Sequence, residues 1–216
     1  MLKLVLAQPT DRPLRILCVG AHCDDIEIGA GATIMHLLAT HPAADVCWVV
    51  CASSDIRRHE AESSAKAFCA EAGNLTTAIG DLPENVLPRH LIEVRDLLDR
   101  CARPFQPDVV FCPRRDDLHQ DHRLLGEVAL QLFRDHPIFE YEIAKYDGDL
   151  RTPNVYAAVE DEMARRKVDL LFEQFPTQHS RTWFDREAFF GLMRLRGIEC
   201  NARYAEGFHA RKVVIA

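Results

Sequence analysis

No stretch of this chain approaches the roughly 20 apolar residues that a membrane-crossing helix needs. Positive charge is also short: 26 Lys and Arg stand against 33 Asp and Glu, a formal net charge of −7. Nucleic-acid binding needs a basic footprint, so general affinity for DNA or RNA is excluded as a function class. Although there are eight cysteines, no C-x-x-C pair occurs. They are scattered, and Cys18, Cys47, Cys51, Cys69 and Cys112 sit in apolar contexts. That usage fits small buried hydrophobes in a reducing compartment, not a disulfide framework or a thiolate zinc site. The first 13 residues carry one Lys and a short apolar run without a clear cleavage site, so no secretory leader is read and a cytoplasmic location is expected. Repeats, low-complexity tracts and linkers are missing too. With 216 residues, 48% hydrophobic and 27% charged, the chain reads as one globular domain over 1–216.

What is present concentrates in residues 14–33, LRILCVGAHCDDIEIGAGAT. The apolar run 16–19 fits a buried parallel strand. Gly29 and Gly31 close the stretch, and 33–38 reads as a helix start. His22, Asp24 and Asp25 lie between strand and helix, at the carboxyl edge where α/β sheets place their ligands. An imidazole and a carboxylate three residues apart suit a divalent metal such as zinc, leaving the second Asp for acid–base work. Helix capping is the alternative use of Asp24 or Asp25. The glycines do not match G-x-G-x-x-G, and a turn rich in carboxylates would repel a pyrophosphate.

Further along, strands are expected at 45–51, 76–79 and 108–112, with helices at 57–72, stopped by Gly73, and 88–103, ended by Pro104. This alternation predicts an α/β fold: a Rossmann-like three-layer sandwich, its sheet mostly parallel and helices on both faces. The strand at 108–112 delivers a second polar turn, PRRDDLHQDH, before a helix through Leu124, Leu125, Val128, Leu132 and Phe133. His119 and His122 are three apart there, near a helix start, and Asp121 is a candidate cap. Together the two turns supply His22, Asp25 and a further His. Three protein ligands with an open position are the catalytic zinc arrangement.

AHCDD at 21–25 resembles the AHPDD signature of the PIG-L/LmbE-like zinc-dependent N-deacetylases, and HQDH at 119–122 resembles that family's H-x-D-H motif. The likeness extends through Arg57 and Glu60 and the closing segment Tyr204-Ala205-Glu206-Gly207-Phe208. The resemblance implies that His22, Asp25 and His122 hold one zinc, that Asp24 is the general base and that His119 faces the developing oxyanion. It further implies that Asp121 orients His119 and that Arg57 contacts substrate. Cys23 stands where the family usually has Pro; its side chain is expected to point away from the metal. A His/Asp/His set also accepts iron, cobalt or manganese.

The activity implied is hydrolysis of the N-acetyl group of an N-acetylglucosamine-type sugar or conjugate, releasing acetate. Zinc lowers the pKa of water and polarises the amide carbonyl, Asp24 takes a proton, and a protonated His119 faces the oxyanion. A zinc amidohydrolase with another N-acyl substrate, or a metal- or sugar-binding protein without catalysis, are the alternatives. A homo-oligomer is compatible with the family. The last third is read as specificity: strands at 140–145, 155–159 and 212–215, a helix at 161–175 and a loop at 176–181. Tyr146 could stack on a sugar ring, and Gln178 and Arg181 could hold a carboxylate or phosphate; plain surface loops are the alternative. Trp183, Phe184, Phe189, Phe190 and Leu192 are read as core.

Overall fold

The computed structural model describes residues 11–214 together with Lys3, Val5, Leu6 and Pro9; the rest of the N-terminal run, and Ile215 and Ala216, lie outside the described residues. In chain order the elements are β1 Arg15–Gly20, α1 Asp25–Thr40, β2 Asp45–Ala52, α2 Asp55–Phe68, β3 Asn74–Leu82, a 3-10 turn Leu87–His90 and α3 Leu91–Phe105. There follow β4 Val109–Pro113, α4 Gln120–Leu132, β5 Ile138–Tyr141, β6 Val155–Val159, α5 Asp161–Gln174, a 3-10 turn Pro176–Gln178, α6 Arg186–Cys200 and β7 Tyr204–His209.

The strands make one seven-stranded sheet in the order β3-β2-β1-β4-β5-β7-β6. The first five are mutually parallel, and β7 runs antiparallel to both β5 and β6. β1 shows why its sequence is a continuous apolar run rather than an alternation. Ile16 and Cys18 enter the core under α1, α2, α5 and α6, whereas Leu17 and Val19 enter the core under α3 and α4. A strand buried on both faces has no polar side to show. Chain order reverses between β1 and β4, so the loops leaving these two strands diverge and open a crevice at the carboxyl edge. Both polar turns lie on those loops.

Helix α1 begins at Asp25 and runs through Gly29 and Gly31, eight residues earlier than the expected start at 33. The glycines mark close packing, not a break. A side chain at Gly29 would enter the ring of Tyr141, and one at Gly31 would stand 2.6 Å from Phe68 Cε1. A buried ion pair grips the same helix midway. Lys167 Nζ donates to Ile28 O (2.6 Å) and to Glu206 Oε1 (2.5 Å). Glu206 accepts from the backbone N–H of Ala32 (3.1 Å) and Thr33 (2.7 Å) and from Thr33 Oγ1 (2.6 Å).

Other boundaries differ for local reasons. α3 continues through Pro104 and stops at Gln106, whose φ of 52° is left-handed. Helix α2 ends at Phe68, before Gly73. β5 covers Ile138–Tyr141, and residues 142–145 have left the sheet. Residues 212–214 form no strand. Helix α6 and strand β7 were not anticipated as elements. Phe184 and Phe189 are buried in the core, while Trp183 and Phe190 pack at its margin. No helix among the described residues is long and apolar enough to cross a membrane.

Candidate metal centre

The β1–α1 loop presents His22, Asp24 and Asp25, and the β4–α4 loop presents Asp117, His119, Asp121 and His122. Asp25 is fixed first. Its Oδ2 accepts the backbone N–H of Ala21 (2.9 Å) and His22 (2.8 Å), which aims the carboxylate back at the end of β1. His122 Nε2 then lies 3.3 Å from Asp25 Oδ1, His22 Nδ1 lies 3.6 Å from Asp25 Oδ2, and the two ring nitrogens are 3.1 Å apart. Donors around a tetrahedral zinc, each at about 2.0–2.1 Å, stand roughly 3.3 Å from one another. Spacing and chemistry of this donor set therefore fit a divalent metal. The imidazoles of His22, His119 and His122 form a looser overlapping cluster, their ligand atoms within 4.8 Å of one another. The Asp25-containing set is tighter, and both nitrogens of His119 have other partners.

His119 is the N-cap of α4, its Nδ1 accepting from the backbone N–H of Asp121 at 3.3 Å. An acceptor at Nδ1 places the ring proton on Nε2, which donates to Asn85 Oδ1 at 3.2 Å. Burial and the neighbouring His122 and His22 also lower its pKa. With Nδ1 accepting, His119 offers its Nε2–H as a neutral imidazole, where the chemistry had been expected to use a protonated one. Asp121 also departs from that pattern. Its carboxylate, fully buried, accepts from His22 Nε2 (3.1 Å) and from the backbone N–H of Asn85 (2.6 Å) and Leu87 (3.0 Å). Its side chain therefore orients His22 and the loop before α3, and only its backbone reaches His119.

Asp24 is 5% exposed and is met by Arg57 Nη2 at 2.9 Å. The other arm of Arg57 reaches Glu60 Oε2 (2.8 Å) and Thr177 Oγ1 (3.1 Å). Arg57, read as a substrate contact, has its guanidinium occupied in holding Asp24. Burial pushes the Asp24 carboxyl upward, against the pull of Arg57. For Asp25, burial acts upward too, but His122 and His22 outweigh it and hold the carboxyl well below its ordinary value. Burial opposes protonation of His22 and His122. Carboxylates led by Asp25 outweigh it and raise the pair to about 10 and about 9 without a metal. Cys23 points away, its Sγ 3.6 Å from Ala52 O, and burial pushes its thiol up.

Of the three residues expected to set specificity, the structure ties only Gln178 to the site. Gln178 Nε2 donates to Thr177 Oγ1 (3.1 Å), which ties it to Arg57 and the site. Tyr146 is 69% exposed and bonds Thr182 (2.9 Å), and Arg181 is exposed. Residues that sequence reasoning passed over are Asn85, Asp117, Lys145 and Thr177. Asn85, with φ of 66°, and Asp117, within the second polar turn, carried a faint signal; Lys145 and Thr177 carried none.

The fold and this cluster define an α/β protein with a histidine- and carboxylate-lined cluster that could hold a metal at the switch point of its sheet. A model of the PIG-L family, described as GlcNAc-PI de-N-acetylase, matches residues 17–133. The chain belongs to the PIG-L family, and with that membership comes its enzyme class, a deacetylase. Solved structures share the fold. N,N'-diacetylchitobiose deacetylase from Pyrococcus horikoshii is 24% identical with a TM-score of 0.70, over 94% of this chain and 85% of that one. Teicoplanin deacetylase Orf2, in its zinc inhibited form, is 15% identical with a TM-score of 0.69, over 91% and 97%. GalB, the 4-carboxy-2-hydroxymuconate hydratase from Pseudomonas putida KT2440, is 16% identical with a TM-score of 0.70, over 94% and 98%. At these identities the likenesses bear on fold alone.

Proposed function

We propose that this chain, as one domain, is a divalent-metal-dependent N-deacetylase that hydrolyses the acetamide of an N-acetylglucosamine-type sugar or conjugate, releasing acetate and the free amine. The observation that carries the reading is the convergence of His22 Nδ1, His122 Nε2 and Asp25 within 3.6 Å, with the buried Asp24 beside them on the same turn. His22, Asp25 and His122 would hold the metal, which when bound activates water and polarises the amide carbonyl. Asp24, steadied by Arg57, takes the proton from the attacking water. His119 directs its Nε2–H toward the oxygen on which negative charge develops. A neutral His119 has no spare proton for the departing amine, so Asp24 returns the one it took. Acetate leaves as the C–N bond breaks. Tyr146, Gln178 and Arg181 are proposed as sugar contacts.

All eight cysteines are free thiols, which supports a reducing, cytoplasmic setting. Zinc is the proposed metal. Because a solved structure of similar fold is described in a zinc inhibited form, the test loads zinc, cobalt, manganese and iron(II) separately. Acetate release is measured over a panel of N-acetylglucosamine derivatives, with Asp24→Ala as control. Release by the wild type, lost in the variant while metal content stays at one per chain, supports the reading. Metal retained with no acetate released from any sugar would overturn the substrate class. Failure to bind any metal would overturn the mechanism.

A further inference from the structure

Both ring nitrogens of His122 face a carboxylate. Nε2 faces Asp25 Oδ1 and His22 Nδ1, as described above, and Nδ1 faces Asp117 Oδ2 at 3.3 Å. This Nδ1 is shut off from solvent and completes no hydrogen bond of good geometry, with the Asp117 carboxylate standing opposite it. Asp117 is itself 2% exposed. Its Oδ1 accepts the backbone N–H of His119 (2.7 Å), and its Oδ2 also takes Lys145 Nζ (3.0 Å). Lys145 is held in turn by Asp149 Oδ1 (2.6 Å), whose Oδ2 accepts the N–H of Leu118 (2.8 Å).

We propose that Asp117 is a positioning residue for the metal centre, a role that rests on the metal reading above. It takes the Nδ1 proton of His122, keeps the neutral ring in the tautomer whose Nε2 lone pair faces His22 and Asp25, and sets the height of His119 through its backbone. Metal-ligating histidines depend on such a carboxylate to fix tautomer and ring orientation. His22 has the complementary arrangement: Asp121 holds its Nε2 and leaves Nδ1 for the metal. The two histidines thus ligate through opposite nitrogens, each chosen by its own buried carboxylate. The competing explanation is that Asp117 serves only as counter-ion to Lys145.

Asp117→Asn separates the two when compared with Asp149→Asn, which disturbs the same lysine without touching His122. The probe is Zn2+ itself, its affinity read by competition with a chromophoric chelator. Thermal unfolding of the metal-free forms establishes that each variant is folded, and long-range 15N correlation of the His122 ring, taken at about pH 10 where the metal-free ring is neutral, reads its tautomer. The expected result is a 10–100-fold loss of Zn2+ affinity in Asp117→Asn. The Nδ1–H tautomer signature of His122 is lost with it, and Asp149→Asn stays close to wild type. Equal affinity of Asp117→Asn and wild type, or an equal loss in both variants, overturns the positioning role. His22→Ala is run alongside. If it leaves Zn2+ affinity unchanged, the metal reading fails as a whole; if it abolishes binding while Asp117→Asn does not, only the present inference fails.

Discussion

Replacing Arg57 by Met removes the cation that two buried carboxylates share. Asp24 and Glu60 side chains are each 7% exposed and lie 2.9 and 2.8 Å from the guanidinium. Glu60 keeps the N–H (2.9 Å) and hydroxyl (2.7 Å) of Thr177, but Asp24 is left without a cation. Breaking a buried pair from one side costs about 3–5 kcal/mol. For a chain of this size that lowers the unfolding temperature by roughly 6–20 °C. The effect on catalysis has a definite sign. Burial already raises the Asp24 carboxyl and Arg57 is the largest influence opposing it. Without Arg57 the carboxyl stays protonated to higher pH, and the acidic limb of kcat/KM for acetate release moves up. An adjacent Arg typically displaces a carboxylate by 1–3 units, so a shift of roughly that size is expected. Arg57→Lys, which keeps one charge but cannot span both carboxylates, should fall between. The assay is the pH profile of kcat/KM measured well below each variant's unfolding temperature. An unmoved acidic limb with a raised KM would refute the reasoning and return Arg57 to the role of substrate contact.

Protons compete with metal for His22 and His122, whose pKa values rise to about 10 and about 9 in the metal-free chain. Metal affinity should therefore climb as pH rises and level off only above about pH 10, with protons released on binding; a flat profile in chelator competition would contradict it. The metal-free chain shows the opposite trend. Stability from these raised pKa values is complete below the ordinary histidine pKa, roughly 6.5, and is lost as pH rises through the folded values. Thermal scans of chelator-treated protein should accordingly show a lower unfolding temperature at pH 9.5 than at pH 7. Gly29→Ala should destabilise by about 1–3 kcal/mol, because overpacking against Tyr141 outweighs the roughly 1 kcal/mol of helix propensity gained. Gly191→Ala in α6, where an added side chain meets nothing within 4 Å, should stabilise, and denaturant titration of both variants checks the difference in sign. Lys167→Met leaves Glu206 buried against two backbone N–H groups without its cation. A loss of about 3–5 kcal/mol is expected by denaturant unfolding, and a smaller one for Lys167→Met combined with Glu206→Leu.

The parallel half of the sheet was legible because strands buried on both faces advertise themselves as unbroken apolar runs. β7 hid for the converse reason. Glu206 and Gly207 sit in its middle, and a carboxylate within a sheet reads as loop until its partner is known. The partner is Lys167 on α5, together with the backbone of α1 more than 170 residues earlier in the chain. Gly29 and Gly31 misled in the same way. Glycine lowers helix propensity, and only the rings of Tyr141 and Phe68 explain why the helix tolerates both.

At the candidate metal centre, residue types and spacing were enough to nominate His22, Asp25 and a further His, because two strand ends at a switch point bring them together, and the family resemblance singled out His122. Partnership was a different matter. The second turn holds Asp116, Asp117 and Asp121 within six positions, all equally eligible as a carboxylate for a neighbouring histidine. Folding distributes them: Asp116 meets Arg114 and Arg151 at the surface, Asp117 faces His122, and Asp121 crosses to His22. Which nitrogen each histidine keeps for a metal follows from that distribution. Sequence motifs therefore nominate ligands for such a site before they show which groups aim them. Those aiming groups are where substitutions should separate metal affinity from chemistry.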